Sequence, residues 1–503
     1  MSTLQNLRRR WTAGLAALGA LIPLTAAATP VFADSGPDYA AVDRYVQDQV
    51  NEARIPGLAL GIVHGAQVTH LQGFGRADSG GRPVTPQTPF IIGSISKSFT
   101  AVAVLQLAEA GKVDLDAPVQ RYLPEFRLAD PHASAAMTTR HLLNQTSGIP
   151  TSAGITPLSE PVSSLEAQVR ALVTVTPSAQ PGRQYEYSNS NYEVLGRLVE
   201  TVSGQGYGDY VQEHIFAPLG MEHSFASLDA AKRDGLASAS TLWFGMQQAH
   251  AQGAGFRSDT VPAGFLMSSA EDMSHFVAAQ LNNGQYPSTG ASLLSAAGVA
   301  ELHRPAAAAG LSAQGGSYAM GWFNGPRSNL RDTIWHNGSA ASMHSIVIML
   351  PAENWGVILL TNVESILYET LARIDIIADN VASLLTNRPL AGTLAGLYLV
   401  FDAVAALVIA LAVRNLARIV RGRRKVRTGR LARVRTVFFQ WVVPIWREFW
   451  VPVAILLGVP AALGAPWFGN LLNVDIGQWL FVFALLLLAS GIVRLVLAIR
   501  RPT

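Results

Sequence analysis

Gly93-Ser94-Ile95-Ser96-Lys97, followed by the apolar run Phe99 to Ala110 and a terminating Gly111, is the stretch on which the fold reading turns. The pattern predicts a helix with Ser94 in its first turn, which puts Lys97 three residues on, one turn up the same face. A serine hydroxyl is a poor nucleophile until a neighbouring base takes its proton, and a lysine held in a desolvated site can be that base. The helix N-terminus favours negative charge developing beside Ser94. The same four residues also describe an ordinary serine cap, so the rest of the chain must decide.

Two more stretches carry chemistry. Pro181-Gly182-Arg183-Gln184-Tyr185-Glu186-Tyr187-Ser188-Asn189 precedes Tyr192, Leu195 and Gly196 at helical spacing. A Tyr-Ser-Asn loop ahead of a helix presents a phenol and an amide to one cleft, and the phenol can shuttle a proton. Trp335-His336-Asn337-Gly338-Ser339 ends a strand-like run. Gly338 lets substrate approach the backbone, and the Ser339 and Ser94 amides can make the two halves of an oxyanion hole. Separately, each is equally a packed tyrosine with a turn asparagine, or a strand-end histidine.

In this order along the chain, the three stretches resemble the signature set of serine β-lactamases and penicillin-binding proteins, in the versions of the class C, D-aminopeptidase and esterase branch. Leu142 to Pro150, Ile215 to Met221, Pro262-Ala263-Gly264, Ser269 to Asp272 and Tyr318 to Trp322 add to the resemblance, which runs from about residue 38 to 385. It implies an α/β fold: an antiparallel sheet flanked by helices, with a helical subdomain. It also implies that Ser94 forms an acyl-enzyme, that Lys97 and Tyr187 exchange its proton, and that Asn189 holds the substrate amide. His336, Asn337, Gly338 and Ser339 complete the substrate site. No cofactor or metal is implied. His336 stands where class C β-lactamases carry a lysine, so carboxylate recognition and β-lactam hydrolysis are put in doubt. Gln145 replaces a histidine common in the branch.

The remaining sequence agrees with one such domain over 34–386. Asp38 to Ala53 reads as an amphipathic helix. Leu58 to Val63, Val68 to Gly73, Tyr318 to Phe323, Thr333 to His336, Ser345 to Leu350 and Gly356 to Thr361 read as strands, and Glu364 to Leu385 as a long helix. Strands from both ends of the domain predict a single antiparallel sheet closed by its own termini. The absence of cysteine excludes disulfides, thiol catalysis and cysteine metal sites.

The ends of the chain point to a membrane. Arg8, Arg9 and Arg10, the apolar stretch Trp11 to Ala28, and Val31-Phe32-Ala33 predict a signal peptide over 1–33. After the domain, 387–503 reads as a membrane segment with apolar runs at about 390–413, 449–468 and 478–499, each long enough for a hydrocarbon core of ~30 Å. The run from Arg414 to Arg435 is rich in basic residues and has no acidic one, so the formal net charge of +3 conceals an acidic globular part. Nucleic acid is therefore not an expected partner. Placing that basic loop in the cytoplasm also puts Arg500 and Arg501 inside, in accord with the positive-inside rule. The expected location is the bacterial inner membrane, with the domain outside and the C-terminus cytoplasmic. Val437 to Trp446 reads as an interfacial helix because Arg447 and Glu448 follow it. Asp402 and Arg494 read as a packing pair within the spans.

This layout resembles membrane-anchored prodrug-cleaving peptidases such as the colibactin-maturation peptidase, which remove an N-acyl-D-asparagine group from an exported natural product. The implied partners are a substrate carrying an acylated D-amino acid, the lipid bilayer and an exporter. Asn337, beside the oxyanion hole, either pairs with a substrate carboxamide or faces along the strand edge and supports the Gly338 turn. A broad esterase, a DD-peptidase or β-lactamase-like hydrolase, and a non-catalytic β-lactam sensor are the alternatives.

Overall fold

A computed structural model describes residues 37–154, 164–243, 246–308, 316–364, 373–392, 397–420, 443–458 and 475–499. The predicted signal peptide lies outside them. The centre is an antiparallel sheet whose strands are β1 (Gly57–His64), β2 (Gln67–Gly75), β3 (Ala307–Ala308), β4 (Ser317–Tyr318), β5 (Phe323–Arg327), β6 (Leu330–Ala340), β7 (Met343–Leu350) and β8 (Trp355–Thr361). Their order across the sheet is β2-β1-β8-β7-β6-β5-β4-β3. β1 pairs with β8 from Leu58 opposite Thr361 to His64 opposite Trp355, so the two ends of the domain close the sheet. The run Tyr318 to Phe323 is not one strand. It breaks into β4 and β5 around Gly321, whose φ of +80° favours glycine.

Helices cover both faces, which is why β1, β7 and β8 read as continuous apolar runs rather than alternating ones. On one face, Leu58, Leu60, Ile62, Ile346, Ile348 and Leu359 pack with α1 (Tyr39–Ala53), through Val42, Val46 and Val50, and with a helix at Arg373–Leu385, through Ile377 and Val381. On the other face, Ala59, Val63, Val347, Met349 and Ile358 share a core with Phe99 and Phe276. Phe99 belongs to α2 (Ser96–Glu109), and Phe276 to a helix at Ala270–Leu281. Also on this side are α3 (Asn189–Ser203) and the short α4 (Val261–Gly264). The helices at Ala270–Leu281 and Arg373–Leu385 are α5 and α6.

Beyond the domain, α7 (Leu397–Val420), α8 (Val443–Val453) and α9 (Asp475–Ile499) follow. Among the described residues no helix is long and apolar enough to cross a membrane. The side chains of Asp402 and Arg494, most of the basic loop, and 459–468 of the second apolar run lie outside the described residues. Glu448, whose charge prompted the interfacial reading of the preceding segment, packs among the helices. It is buried, it accepts a hydrogen bond from Asn415 Nδ2 at 3.3 Å, and it packs beside Gly491.

One contact in the helical part bears on the site. Gly196 of α3 abuts Pro262 of α4 so closely that an added methyl would lie 2.3 Å from the proline Cγ. Gly196→Ala must push α4 away, and Pro262 cannot yield by changing rotamer. The expected loss is about 1–3 kcal/mol in thermal or urea unfolding, with a loss of activity because α4 also carries Ala263.

Candidate active site

Ser94 does not lie in the α-helix itself. It sits in a tight turn, Gly93–Ile95, that leads into α2, and it remains partly exposed while its neighbours are buried. Backbone contact with β6 holds this turn. A methyl on Gly338 would lie 2.1 Å from the Ile92 carbonyl oxygen and 2.8 Å from the Ser94 nitrogen, and one on Gly93 would lie 2.4 Å from the Ser339 nitrogen. Two glycines thus let a turn and a strand approach main chain to main chain. Ser345 Oγ on β7 donates to the Ile92 carbonyl at 2.7 Å and fixes the same turn from below. Among the described strands, β5 pairs with β6 only as far as Trp335, which leaves the β6 edge at His336 to Ala340 beside Ser94 without a neighbouring strand.

Lys97 is fully buried, with Nζ 3.0 Å from Ser94 Oγ, 2.8 Å from Asn189 Oδ1 and 2.5 Å from the Ala263 carbonyl oxygen. Burial pushes its pKa down to about 7, against a smaller upward pull from Glu193. A neutral amine has two N–H groups and one lone pair. Asn189 Oδ1 and the Ala263 carbonyl can only accept, so they take the two N–H groups, and the lone pair is left for the Ser94 hydroxyl proton. Asn189 is therefore a lysine partner, a role the sequence reading did not give it.

Burial among its neighbours pushes the Tyr187 phenol above the ordinary range, against a smaller downward pull from the Ser94 hydroxyl beside it. Lys97 Nζ lies 4.8 Å from the centre of its ring. The loop that carries Tyr187 is held by Gln145, whose side-chain oxygen accepts from the Ser188 nitrogen at 2.9 Å and from Asn191 Nδ2. Gln145 adopts φ +56°, and its carbonyl accepts from the Glu186 nitrogen at 2.8 Å. The residue that seemed an inconsequential replacement in sequence is thus the bracket of the tyrosine loop.

His336 is buried, and its Nδ1 lies 2.5 Å from the Asn337 carbonyl oxygen. That oxygen can only accept, so Nδ1 carries the proton. Burial, and then the charge of Lys97, push the ring down to about 3, so it is neutral at physiological pH. The cation of the class C pattern is missing here in charge as well as in residue type. Along β6, side chains alternate between faces. His336 and Gly338 face the Ser94 side, whereas Asn337 and Ser339 face α6. The Asn337 carboxamide donates to Asp375 Oδ2 at 3.2 Å, behind the sheet. The expectation that it pairs with a substrate carboxamide is corrected on this point, because its donor is committed on the opposite face.

The sequence reading missed Glu193. It lies one helical turn beyond Asn189, on the same face of α3, and is buried. Burial raises its pKa to about 7, against Arg257 and Lys97. The four-residue spacing from Asn189 was the available signal. Among the described residues no group of His, Cys, Asp and Glu side chains is arranged to hold a metal ion.

The sequence matches the Beta-lactamase family over residues 42–378. Protein flp of Staphylococcus aureus (strain MW2) is 28% identical over 331 residues, covering 64% of this chain and 63% of that protein. The chain thus spans a little under two thirds of the length of these relatives. Penicillin-binding protein 4 of Amycolatopsis lactamdurans is 29% identical over 323 residues, which is 62% of this chain and 82% of that one. Among solved structures, the octameric penicillin-binding protein homologue from Pyrococcus abyssi has a TM-score of 0.59 at 25% identity, covering 70% of this chain and 78% of that one. EstCE1, a hydrolase with promiscuous acyltransferase activity, has a TM-score of 0.57 at 21% identity, covering 68% and 98%, and shares the fold.

If neutral Lys97 is the base, kcat/KM rises with pH as the lysine loses its proton around pH 7, and levels above it. The Glu193 charge favours the protonated lysine, so Glu193→Gln is expected to move that limb to lower pH. A pH–rate profile of the two proteins checks this. An unmoved limb in the variant, or activity independent of pH below 7, contradicts it.

Proposed function

The chain belongs to the β-lactamase family of serine hydrolases, and from that premise we propose that it is an exported, membrane-anchored amidase or peptidase that cleaves an N-acylated D-amino acid from an exported natural product. The observation that carries the catalytic part is the Lys97 amine, buried and with both N–H groups committed, whose lone pair is left for Ser94. Ser94 Oγ gives its proton to Lys97 Nζ and attacks the substrate carbonyl carbon. The oxyanion that forms is held by the Ser94 and Ser339 amides. The proton passes through the Tyr187 phenol to the leaving nitrogen as the C–N bond breaks, which leaves an ester on Ser94. Water then attacks the ester carbon, and its proton passes through the same groups to Ser94 Oγ as the ester C–O bond breaks and the acid is released.

The neutral His336 favours an uncharged group at that end of the cleft, which argues against a DD-peptidase or β-lactamase role, since both bind a substrate carboxylate. The D-configuration and the asparagine-like side chain rest on the family resemblance and on the layout of the chain. Asn337 contributes nothing to them. The membrane part rests on the apolar runs, the basic loop, and one feature of the surface. Of the large apolar side chains left exposed among the described residues, all but Val173 lie on α7, α8, α9 and the turn after α8, including Leu407, Leu411, Trp450, Leu457 and Ile492. Exposed apolar surface gathered on one part of a chain marks a membrane or partner surface, and the apolar runs and basic loop favour the membrane.

A serine-directed fluorophosphonate is expected to label the wild type and not Ser94→Ala. Lys97→Ala and Tyr187→Phe should each lose turnover while remaining folded, because the three act as one proton-transfer unit. N-acyl-D-Asn amides should be cleaved faster than their L-isomers, and faster cleavage of the L-isomer would refute the substrate class. Topology is tested separately with a reporter fused after Thr503. It should be active only in the cytoplasm, and external activity would contradict the anchoring.

A further inference from the structure

The face of β6 turned away from Ser94 carries a chain of hydrogen bonds that the reaction described above does not use. Ser339 Oγ lies 2.9 Å from Nδ1 of His344, its cross-strand partner, and Nε2 of the same ring lies 2.9 Å from Asp375 Oδ1 on α6. The second oxygen of Asp375 receives Asn337 Nδ2 at 3.2 Å and Arg327 Nη2 at 3.3 Å. Arg327 continues to Asp379 through Nε at 2.8 Å, and its guanidinium lies 4.1 Å from the centre of the Trp335 ring. Arg327, His344, Asp375 and Asp379 are all buried.

The chain is fixed at its Asp375 end. Burial alone would raise the Asp375 carboxyl, but the Arg327 guanidinium and the His344 hydrogen bond hold it below the ordinary carboxylate range. An ionised carboxylate only accepts, so His344 Nε2 carries a proton and donates to Asp375. Ser339 Oγ, His344 and Asp375 thus form one hydrogen-bonded chain anchored by the Asp375 carboxylate. The chain ends on the residue whose backbone N–H is the proposed oxyanion donor.

That N–H needs support from behind. Beyond Trp335 no described strand pairs with the outer edge of β6, so what holds it there is its pairing with β7, the Ser345 hydroxyl at the Ile92 and Gly338 carbonyls, and side-chain bonds on the α6 face. On the α6 face, β6 is anchored at 337 by Asp375 and at 339 by His344. We propose that Asp375, His344 and Ser339 form a positioning relay that holds the Ser339 amide in place for the oxyanion and ties the catalytic edge of the sheet to α6. The relay rests on the reading of Ser94 as nucleophile and of the Ser339 amide as oxyanion donor.

The test uses the full-length protein with Ser339→Ala, Ser339→Thr, His344→Phe and the double variant Ser339→Ala/His344→Phe. An activated ester gives kcat and KM, and a phenylboronic acid gives the affinity for a tetrahedral adduct on Ser94. Ser339→Ala is expected to lower kcat about tenfold with KM nearly unchanged. Boronate affinity should fall in parallel while the melting temperature stays where it was. Ser339→Thr, which keeps the hydroxyl, should retain activity, and the double variant should be no worse than the worse single one. Unchanged kcat and boronate affinity in Ser339→Ala overturn the relay, as does a loss that merely follows the melting temperature. Fluorophosphonate labelling of Ser339 in Ser94→Ala also overturns it, by making Ser339 a nucleophile. Ser94→Ala run alongside separates the two readings: activity lost there but intact in Ser339→Ala refutes the relay alone.

Discussion

The Lys97 amine is the group around which the catalytic half of the domain is arranged. It is sealed from water and contacts three different pieces of the chain: Ser94 on the turn before α2, Asn189 at the start of α3 and the Ala263 carbonyl on α4. A charged ammonium in such a place is costly, and the cost is what lowers its pKa toward neutrality. Each acceptor must be held by its own element, so the packing of α3 on α4 at Gly196 and Pro262 is part of the base, although neither residue approaches a substrate. Glu193 extends the arrangement one turn deeper. Burial raises its carboxyl to about 7, and its charge pulls the Lys97 amine upward against the effect of burial.

The sheet supplies the other half through one strand with two separate duties. The Ser94 side of β6 is stripped to glycine at 338, so that main chain can meet main chain, and His336 beside it is neutral. The opposite side is polar and charged, with Asn337 and Ser339 committed to Asp375 and His344. Closure of the sheet by β1 against β8 makes this possible, because it brings residues from both ends of the domain into one rigid layer with α1 and α6 packed on one face.

The sequence showed most clearly what is local. The Ser94 to Lys97 spacing, the Tyr187 to Asn189 loop and the His336 to Ser339 strand end are short stretches whose geometry follows from one element each. The strand positions were legible because both faces are buried, and β1, β7 and β8 are therefore continuously apolar. What failed depended on register or on distant partners. Asn337 was misplaced by judging its proximity to Gly338 along the chain, although strand parity sends neighbours to opposite faces. The service Gln145 performs for Ser188 and Asn191 spans 43 and 46 residues, which no local pattern reveals. The split of the Tyr318 to Phe323 run was foreshadowed by Gly321, and the burial of Glu448 was not foreshadowed, because its partner Asn415 lies 33 residues away.

Activation of Ser94 turns on the protonation of one amine. Lysine labelled with carbon-13 at Cε can be followed by NMR through a pH titration of the folded protein, with Lys97→Arg assigning the signal among those of Lys112, Lys232 and Lys425. The Lys97 resonance should titrate with a midpoint of about 7. A midpoint near the ordinary lysine value of about 10.4 would mean that the amine stays charged at neutral pH, and that it is not the base that activates Ser94.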